Sequence, residues 1–305
     1  MLSRERIDAA AKEIQGVIAR RDGNFLSEFP LEFYIGSIRS LPKSKNYEFL
    51  NPSLKRGLDK MLVQYGEHLL ALYQKCALCL LIKDSMDRLN APGSIHSLFL
   101  DWFGRVLDDF SVLPDSYYSY KNDSFLKDLA VCRLKAIPVG GAWLVEIAPA
   151  GSKSHIFKRG LTHFLGYMKT LFLEARGLKP FYALHTYSRY APRFTPEEME
   201  KAYLRIAVLM KQNPNIKGLY RSSWFLDPAL DEMSPGLAYL RQVPEENGAR
   251  LFKVANLDVD IKNALVMSPQ RKKLYEEGKY IPTSYAYIWP RKAFLNWAEK
   301  GFPSI

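Results

Sequence analysis

Two short segments, Phe181-Tyr-Ala-Leu-His-Thr-Tyr-Ser-Arg-Tyr190 and Ile216-Lys-Gly-Leu-Tyr-Arg-Ser-Ser-Trp-Phe-Leu-Asp227, each pass from apolar residues into a dense polar cluster. The first cluster sets His185 beside Thr186, Tyr187, Ser188 and Arg189; the second joins Tyr220 to Arg221, Ser222 and Ser223. A histidine with an ordinary pKa of ~6.5 takes a proton from a reacting group at neutral pH, and a tyrosine such as Tyr187 can return one. Arg189, Arg193 and Arg221 suit the paired oxygens of a carboxylate or phosphate, with Ser188, Ser222 and Ser223 as further donors. The bland readings are a hydrogen-bonded structural histidine and surface ion pairs from the arginines to Glu197, Glu198 and Glu200. Neither Ser222 nor Ser223 is framed by Gly-x-Ser-x-Gly, so an esterase-type nucleophile is not indicated.

The elements around these clusters must bring them together. Between them, Thr195-Pro196-Glu197-Glu198 is a capping box with proline at the first helical position, and Met199, Tyr203, Ile206 and Met210 recur at helical spacing as far as Asn213-Pro214. The unit therefore reads strand, helix, strand. A crossover of this kind leaves its two strands parallel, with both polar ends on one edge, which is the edge where ligands bind in open α/β sheets.

A third candidate lies downstream, where Ser268-Pro269-Gln270-Arg271-Lys272-Lys273 puts three cations at a helix start. Positive charge is disfavoured there by the helix dipole, so either a bound phosphate held by Arg271 and Lys272, or simple solvation, accounts for the pattern. A P-loop, a Gly-x-Gly-x-x-Gly turn, a His-Glu-x-x-His pair and multi-Cys/His metal spacing are all absent from the sequence. Cys76 and Cys79 form a Cys-x-x-Cys inside an apolar helical run, better explained by buried thiols than by metal.

With Cys132 these make three cysteines in 305 residues, a sparse, odd set that predicts a reducing compartment, the cytoplasm by default. No stretch approaches the ~18 apolar residues of a membrane span, and the N-terminus has no signal-peptide pattern. The net charge of +11 is uneven: residues 151 to 225 hold 13 Lys or Arg against four Glu, a net +9. Such a field attracts an anionic substrate or cofactor, or nucleic acid, although a solvated basic face would read the same way. Interleaved aromatic and basic residues in Tyr187-Ser-Arg-Tyr190 and Tyr220-Arg-Ser-Ser-Trp224 would suit base stacking in the nucleic-acid alternative.

Along the chain, the first ~120 residues read as mainly helical. Ser3 caps a helix; 25 to 52 reads as loop; one long helix spans about Leu54 to Leu89; Ser94 caps an aromatic helix. After a Tyr, Ser and Asn-rich connection from Asp115 to Asp123 the pattern alternates: a hairpin from Val131 to Val139 and Ala142 to Ile147, a helix from His155 to Arg176, and the crossover. A short helix at Ser234-Pro235, a strand at Arg250 to Ala255, a helix at Ser268-Pro269 and a strand at Ser284 to Trp289 follow. The expectation is an α/β (α+β) chain: a helical region, 1–120, packed on a mixed sheet with alternating helices, 121–305.

In this last part, Leu251-Phe-Lys-Val-Ala-Asn256 and Arg271-Lys-Lys-Leu-Tyr-Glu-Glu-Gly-Lys-Tyr280, followed by Ser284 to Trp289, resemble the tail of a GCN5-related N-acetyltransferase over about 90 residues. Leu274-Tyr275, Gly278 and Tyr280 stand at similar places to that family's Leu-Tyr and Gly-aromatic pairs. The family's pyrophosphate loop has no counterpart after either the 181 or the 216 strand, where Thr195-Pro196 and Ser234-Pro235-Gly236 stand instead. The resemblance implies an acyltransferase that moves an acyl group from coenzyme A to an amine, with Tyr275 protonating the leaving thiolate. The expected assignment is His185, Tyr187 and Tyr275 as catalytic groups, with Ser188, Arg189, Arg193, Arg221, Ser222, Ser223, Arg271 and Lys272 on the anionic ligand. A non-catalytic binder of nucleic acid or another anionic partner is the alternative.

Overall fold

The computed structural model describes residues 2–108, 118–151, 160–187, 194–256, 258–266 and 268–301, with the side chains of 255 and 259 left aside. Among them are thirteen α-helices and a six-strand mixed sheet, an α+β chain with helices first and most of the sheet later. The strands are β1 (Ala136–Gly140), β2 (Trp143–Ala148), β3 (Phe181–Thr186), β4 (Gly218–Ser223), β5 (Arg250–Ala255) and β6 (Ser284–Pro290), in the spatial order β1-β2-β3-β4-β6-β5. No helix among the described residues is long and apolar enough to cross a membrane.

The chain divides into two units. One holds the described residues up to Glu146 together with Tyr187; the other holds Ile147 to Thr186 and the described residues from 194 onward.

In the first unit, α1 (Arg4–Arg21) is capped by Ser3, whose hydroxyl accepts from the Arg6 N–H, and buries Ile7, Ala11, Ile14 and Ile18 against α4 (Pro52–Arg88). Between them the expected loop contains two short helices, α2 (Phe25–Glu28) and α3 (Leu31–Arg39), the second started by Pro30. Helix α4 is not the continuous rod its apolar spacing suggests: Gly66 sits at φ 80°, ψ 173° and divides it. From Leu69 to Cys79 every residue is buried, as expected of a helix surrounded by others. Gln74 satisfies its amide there by donating to the Tyr34 hydroxyl at 3.2 Å and accepting from the Tyr120 N–H at 3.1 Å. Helix α5 (Gly93–Asp108) carries the aromatic stripe into the core through Phe99, Trp102 and Phe103.

The stretch expected to start the hairpin at Val131 is instead the end of α6 (Asp123–Cys132), capped by the Asn122 side chain. Val131 and Cys132 are buried on that helix, and tertiary packing overrides the β-preference of valine. The antiparallel hairpin starts later, at Ala136, and turns through Gly140 to Trp143.

In the second unit, α7 (Leu161–Lys169) runs into a π-helical turn, Thr170–Glu174, ahead of β3. The crossover helix α8 (Pro196–Gln212) is capped by Thr195, whose hydroxyl accepts from the Glu198 N–H at 3.3 Å, an arrangement that stabilises by about 1 kcal/mol. It buries Met199, Tyr203, Ile206 and Met210 as its spacing predicts. Strands β3 and β4 are parallel, with Tyr182 opposite Leu219 and Ala183 opposite Tyr220. β6 then pairs antiparallel with β4 on one side and β5 on the other. The connections are α9 (Leu230–Met233), α10 (Tyr239–Glu246), α11 (Asp258–Val266) and α12 (Pro269–Glu276); α13 (Arg291–Gly301) follows β6.

Candidate functional site

Because β3 and β4 are parallel, His185 and Thr186 of the first cluster and Arg221, Ser222 and Ser223 of the second lie at their carboxyl ends. His185 and Thr186 are half-buried at the end of β3; on β4, Arg221 is 1% exposed, Ser222 is exposed and Ser223 is half-buried. The structure thus brings His185, Arg221, Ser222 and Ser223 to one edge of the sheet.

Arg221 is not a solvent-facing clamp. Its Nη2 donates to Thr186 Oγ1 at 2.9 Å, and the hydroxyls of Tyr203 from α8 and Tyr287 from β6 face the same guanidinium. Those two hydroxyls lie 3.2 Å apart. Burial raises the pKa of both tyrosines, and the nearby guanidinium acts in the opposite direction. Arg221 therefore fixes the spacing of the two strand ends from beneath. Ser223 Oγ accepts from the Phe225 N–H at 3.2 Å and caps a 3₁₀ turn, Trp224–Leu226. Ser222 hydrogen-bonds with the Tyr220 hydroxyl, which burial pushes up to about 12.

Two carboxylates at this edge carried no functional expectation. Asp227, four residues beyond β4, accepts from the Ala229 N–H and the Thr283 N–H, each at 3.1 Å, and from the Tyr280 hydroxyl at 3.4 Å. Asp260 accepts from the Ser284 hydroxyl at 2.5 Å. Burial raises the pKa of both above the usual aspartate value, and the hydrogen bonds only partly oppose it. Asp227 was visible in sequence as the residue closing the second cluster. For Asp260 no local signal exists, because its partner Ser284 is supplied by β6.

Tyr187 belongs to the other unit. It is 1% exposed, its hydroxyl donates to Asp128 Oδ2 at 2.8 Å, and its ring lies 4.9 Å from that of Trp102. Asp128 also accepts from Trp102 Nε1 at 2.8 Å and from the Tyr118 hydroxyl at 2.9 Å. This is a buried carboxylate satisfied by three donors, and it commits the Tyr187 hydroxyl to structure.

The turn at Ser268 also differs from expectation. Ser268 caps α12, and Arg271 folds inward to 5% exposure: its Nε donates to the Ala264 carbonyl at 2.7 Å, its Nη1 to Ser234 Oγ at 2.8 Å, and its guanidinium lies 5.0 Å over the Trp224 ring. Those contacts hold the Arg271 guanidinium inward, near the start of this helix. Lys272 is exposed and lies 3.9 Å from Glu276. Tyr275 is 39% exposed on the same helix. Ser188, Arg189 and Arg193 lie outside the described residues.

All three cysteines are buried free thiols, and among the described residues no group of three or more His, Cys, Asp or Glu is placed to hold a metal ion. No family model matches the chain, and no curated protein or solved structure matches it.

Proposed function

We propose that the carboxyl edge of β3 and β4 is the active site of an acyltransferase-like enzyme that transfers an acyl group from a thioester to an amine. The observation carrying this reading is the parallel pair itself: a strand-helix-strand crossover that gathers His185, Thr186, Ser222 and Ser223 at the edge where α/β sheets receive ligands.

In this reading His185 takes a proton from the acceptor amine as its nitrogen attacks the thioester carbonyl. The tetrahedral intermediate collapses with loss of the thiolate, and a tyrosine protonates the sulfur. Tyr187 is committed to Asp128, which leaves Tyr275 for that role. Arg221 acts as a positioning residue through Thr186, and the anionic end of the thioester falls to Ser222, Ser223 and the basic residues around them.

The nucleic-acid alternative is less well supported. Tyr187 and Trp224 are buried, and the Trp224 ring is stacked on Phe225 at 4.0 Å, so neither presents a free face to a base.

A thermal-shift titration with coenzyme A, acetyl-coenzyme A and longer acyl thioesters, against single-stranded RNA and DNA, separates the two. A ligand at 100 times its Kd stabilises the native state by ~2.7 kcal/mol. A saturable shift with a thioester, lost in Ser222→Trp, is the expected result. Shifts with nucleic acid alone would overturn the enzyme reading.

A further inference from the structure

We infer that a second ligand site lies at the opposite, amino edge of the same strands: a cleft of about 530 Å³ that takes a small phosphorylated molecule, its phosphate on Arg176, Lys217 and Lys292 and its body on Leu173, Ile216 and Pro290. Arg176 lies ahead of β3, Ile216 and Lys217 lead into β4, and Pro290 ends β6. Ser222 and Ser223 are at the other end of β4, ~17 Å away along a six-residue strand. This site is independent of the acyltransferase reading.

Charge points to the ligand class. Four cations line the cleft, Arg176, Lys217, Arg291 and Lys292, against one carboxylate, Glu174, which is drawn off toward Arg250 at 3.5 Å. Arg291 is structural: its Nη1 donates to the Asn213 and Ile216 carbonyls at 3.0 and 3.3 Å, and its N–H donates to the Lys217 carbonyl at 2.9 Å. The other three are different. Among the described residues, no carboxylate or hydrogen-bond acceptor partners the side chain of Arg176, Lys217 or Lys292. Three cations lining one concave surface repel one another, and an anion between them relieves that repulsion.

The backbone supports the same reading. Lys217 is held on both sides, its N–H donating to the Pro180 carbonyl at 2.8 Å and its carbonyl accepting from Arg291, so its side chain leaves a fixed point. Arg176, at the cleft, adopts φ 58°, a left-handed conformation that costs a side-chain-bearing residue about 1 kcal/mol. Gly177, at φ 151°, follows; a Cβ there would stand 3.3 Å from Lys217 Cε, so the glycine leaves room for the lysine stem. Helix α13 begins at the cleft with Arg291 and Lys292 and no acidic residue in its first turn, so its positive end adds to the field. The volume exceeds that needed by a bare phosphate and falls in the range of small-molecule sites. The apolar floor of Leu173, Ile216 and Pro290 suits a ring or chain attached to the phosphate.

Isothermal titration of the full chain tests this with three probes: inorganic pyrophosphate as the head group alone, ADP as head group with a body, and citrate as a non-phosphate trianion. The expected result is saturable one-to-one binding of ADP, weaker binding of pyrophosphate and none of citrate. Lys217→Gln and Lys292→Gln should each weaken ADP binding about tenfold, the effect of losing one charge-assisted contact, while Lys262→Gln, an exposed lysine on α11, should not. Lys292 is exposed, so its variant decides the matter even where Lys217→Gln disturbs folding. Absence of saturable binding of ADP and pyrophosphate at about millimolar concentration, equal binding of citrate, or equal weakening by Lys262→Gln overturns the site.

Discussion

Arg221 on β4 reaches across to β3 and donates from Nη2 to Thr186 Oγ1 at 2.9 Å, joining the two parallel strands by side chains just past their registered pairs. The carboxyl ends of β3 and β4 are therefore held at a set distance by a buried cation and a hydroxyl. Replacing Thr186 by Val keeps the strand preference and removes the acceptor, so the guanidinium loses a partner in a place water does not reach. Unfolding in urea should show a loss of about 1–3 kcal/mol, with Thr186→Ser close to wild type. An unchanged midpoint for the valine variant would mean that the hydrogen bond contributes nothing.

Tyr187 offers a test that separates structure from chemistry. Tyr187→Phe removes one of the three donors to Asp128 and should lower stability by about 1–3 kcal/mol. The thermal shift produced by a thioester ligand should keep its size. A variant of full stability with abolished thioester response would return Tyr187 to the catalytic list.

Asp260 gives a pH dependence of definite sign. Burial raises its folded pKa above the ordinary 3.8, so the folded chain holds the proton more tightly than the unfolded chain. The stability tied to that proton is complete below the unfolded pKa and is lost as pH rises through the folded pKa. At neutral pH the carboxylate is thus a burden. Asp260→Asn keeps an oxygen to accept from Ser284 and removes the charge. The difference in unfolding free energy, variant minus wild type, should become more favourable from acid to neutral pH and then level off. A difference that is flat with pH would contradict a burial-raised Asp260.

The thiols should be silent in the native state. Burial pushes Cys76 up to about 11, Cys79 up to about 12 and Cys132 well above the usual thiol value. Reaction with a disulfide reagent should be slow in buffer and should reach three thiols once denaturant is added. A fast native phase would show that the helix around Cys76 and Cys79 opens readily.

Much of the sheet was legible because its punctuation is local. The alternation from Arg250 to Ala255, the capping box at Thr195 and the serine-proline pair at Ser268 gave elements close to those found. Most of the differences come from partners far away in sequence; the break in α4 does not. The apolar spacing through Leu58, Leu62 and Leu69 runs on past Gly66 and hides the break, which is a backbone event with no apolar signature. Val131 and Cys132 favour a strand by type and are helical because α6 packs into the core. The roles of Arg221 and Arg271 could not be read from their neighbours, since Tyr203 and Tyr287 enclose the first and Trp224 and Ser234 hold the second. The charges at one helix end carry no trace of those distant side chains.

The placement of β6 between β4 and β5 has a consequence during synthesis. β6 follows both of its neighbours in the chain, so β4 and β5 emerge from the ribosome with their facing edges unfilled. A nascent chain that ends before Ser284 presents two open strand edges, one of them next to the completed β3–β4 pair. Such edges recruit other strands. The sheet closes only when residues 284–290 arrive, and a pause of the ribosome ahead of that point prolongs the exposure of both edges.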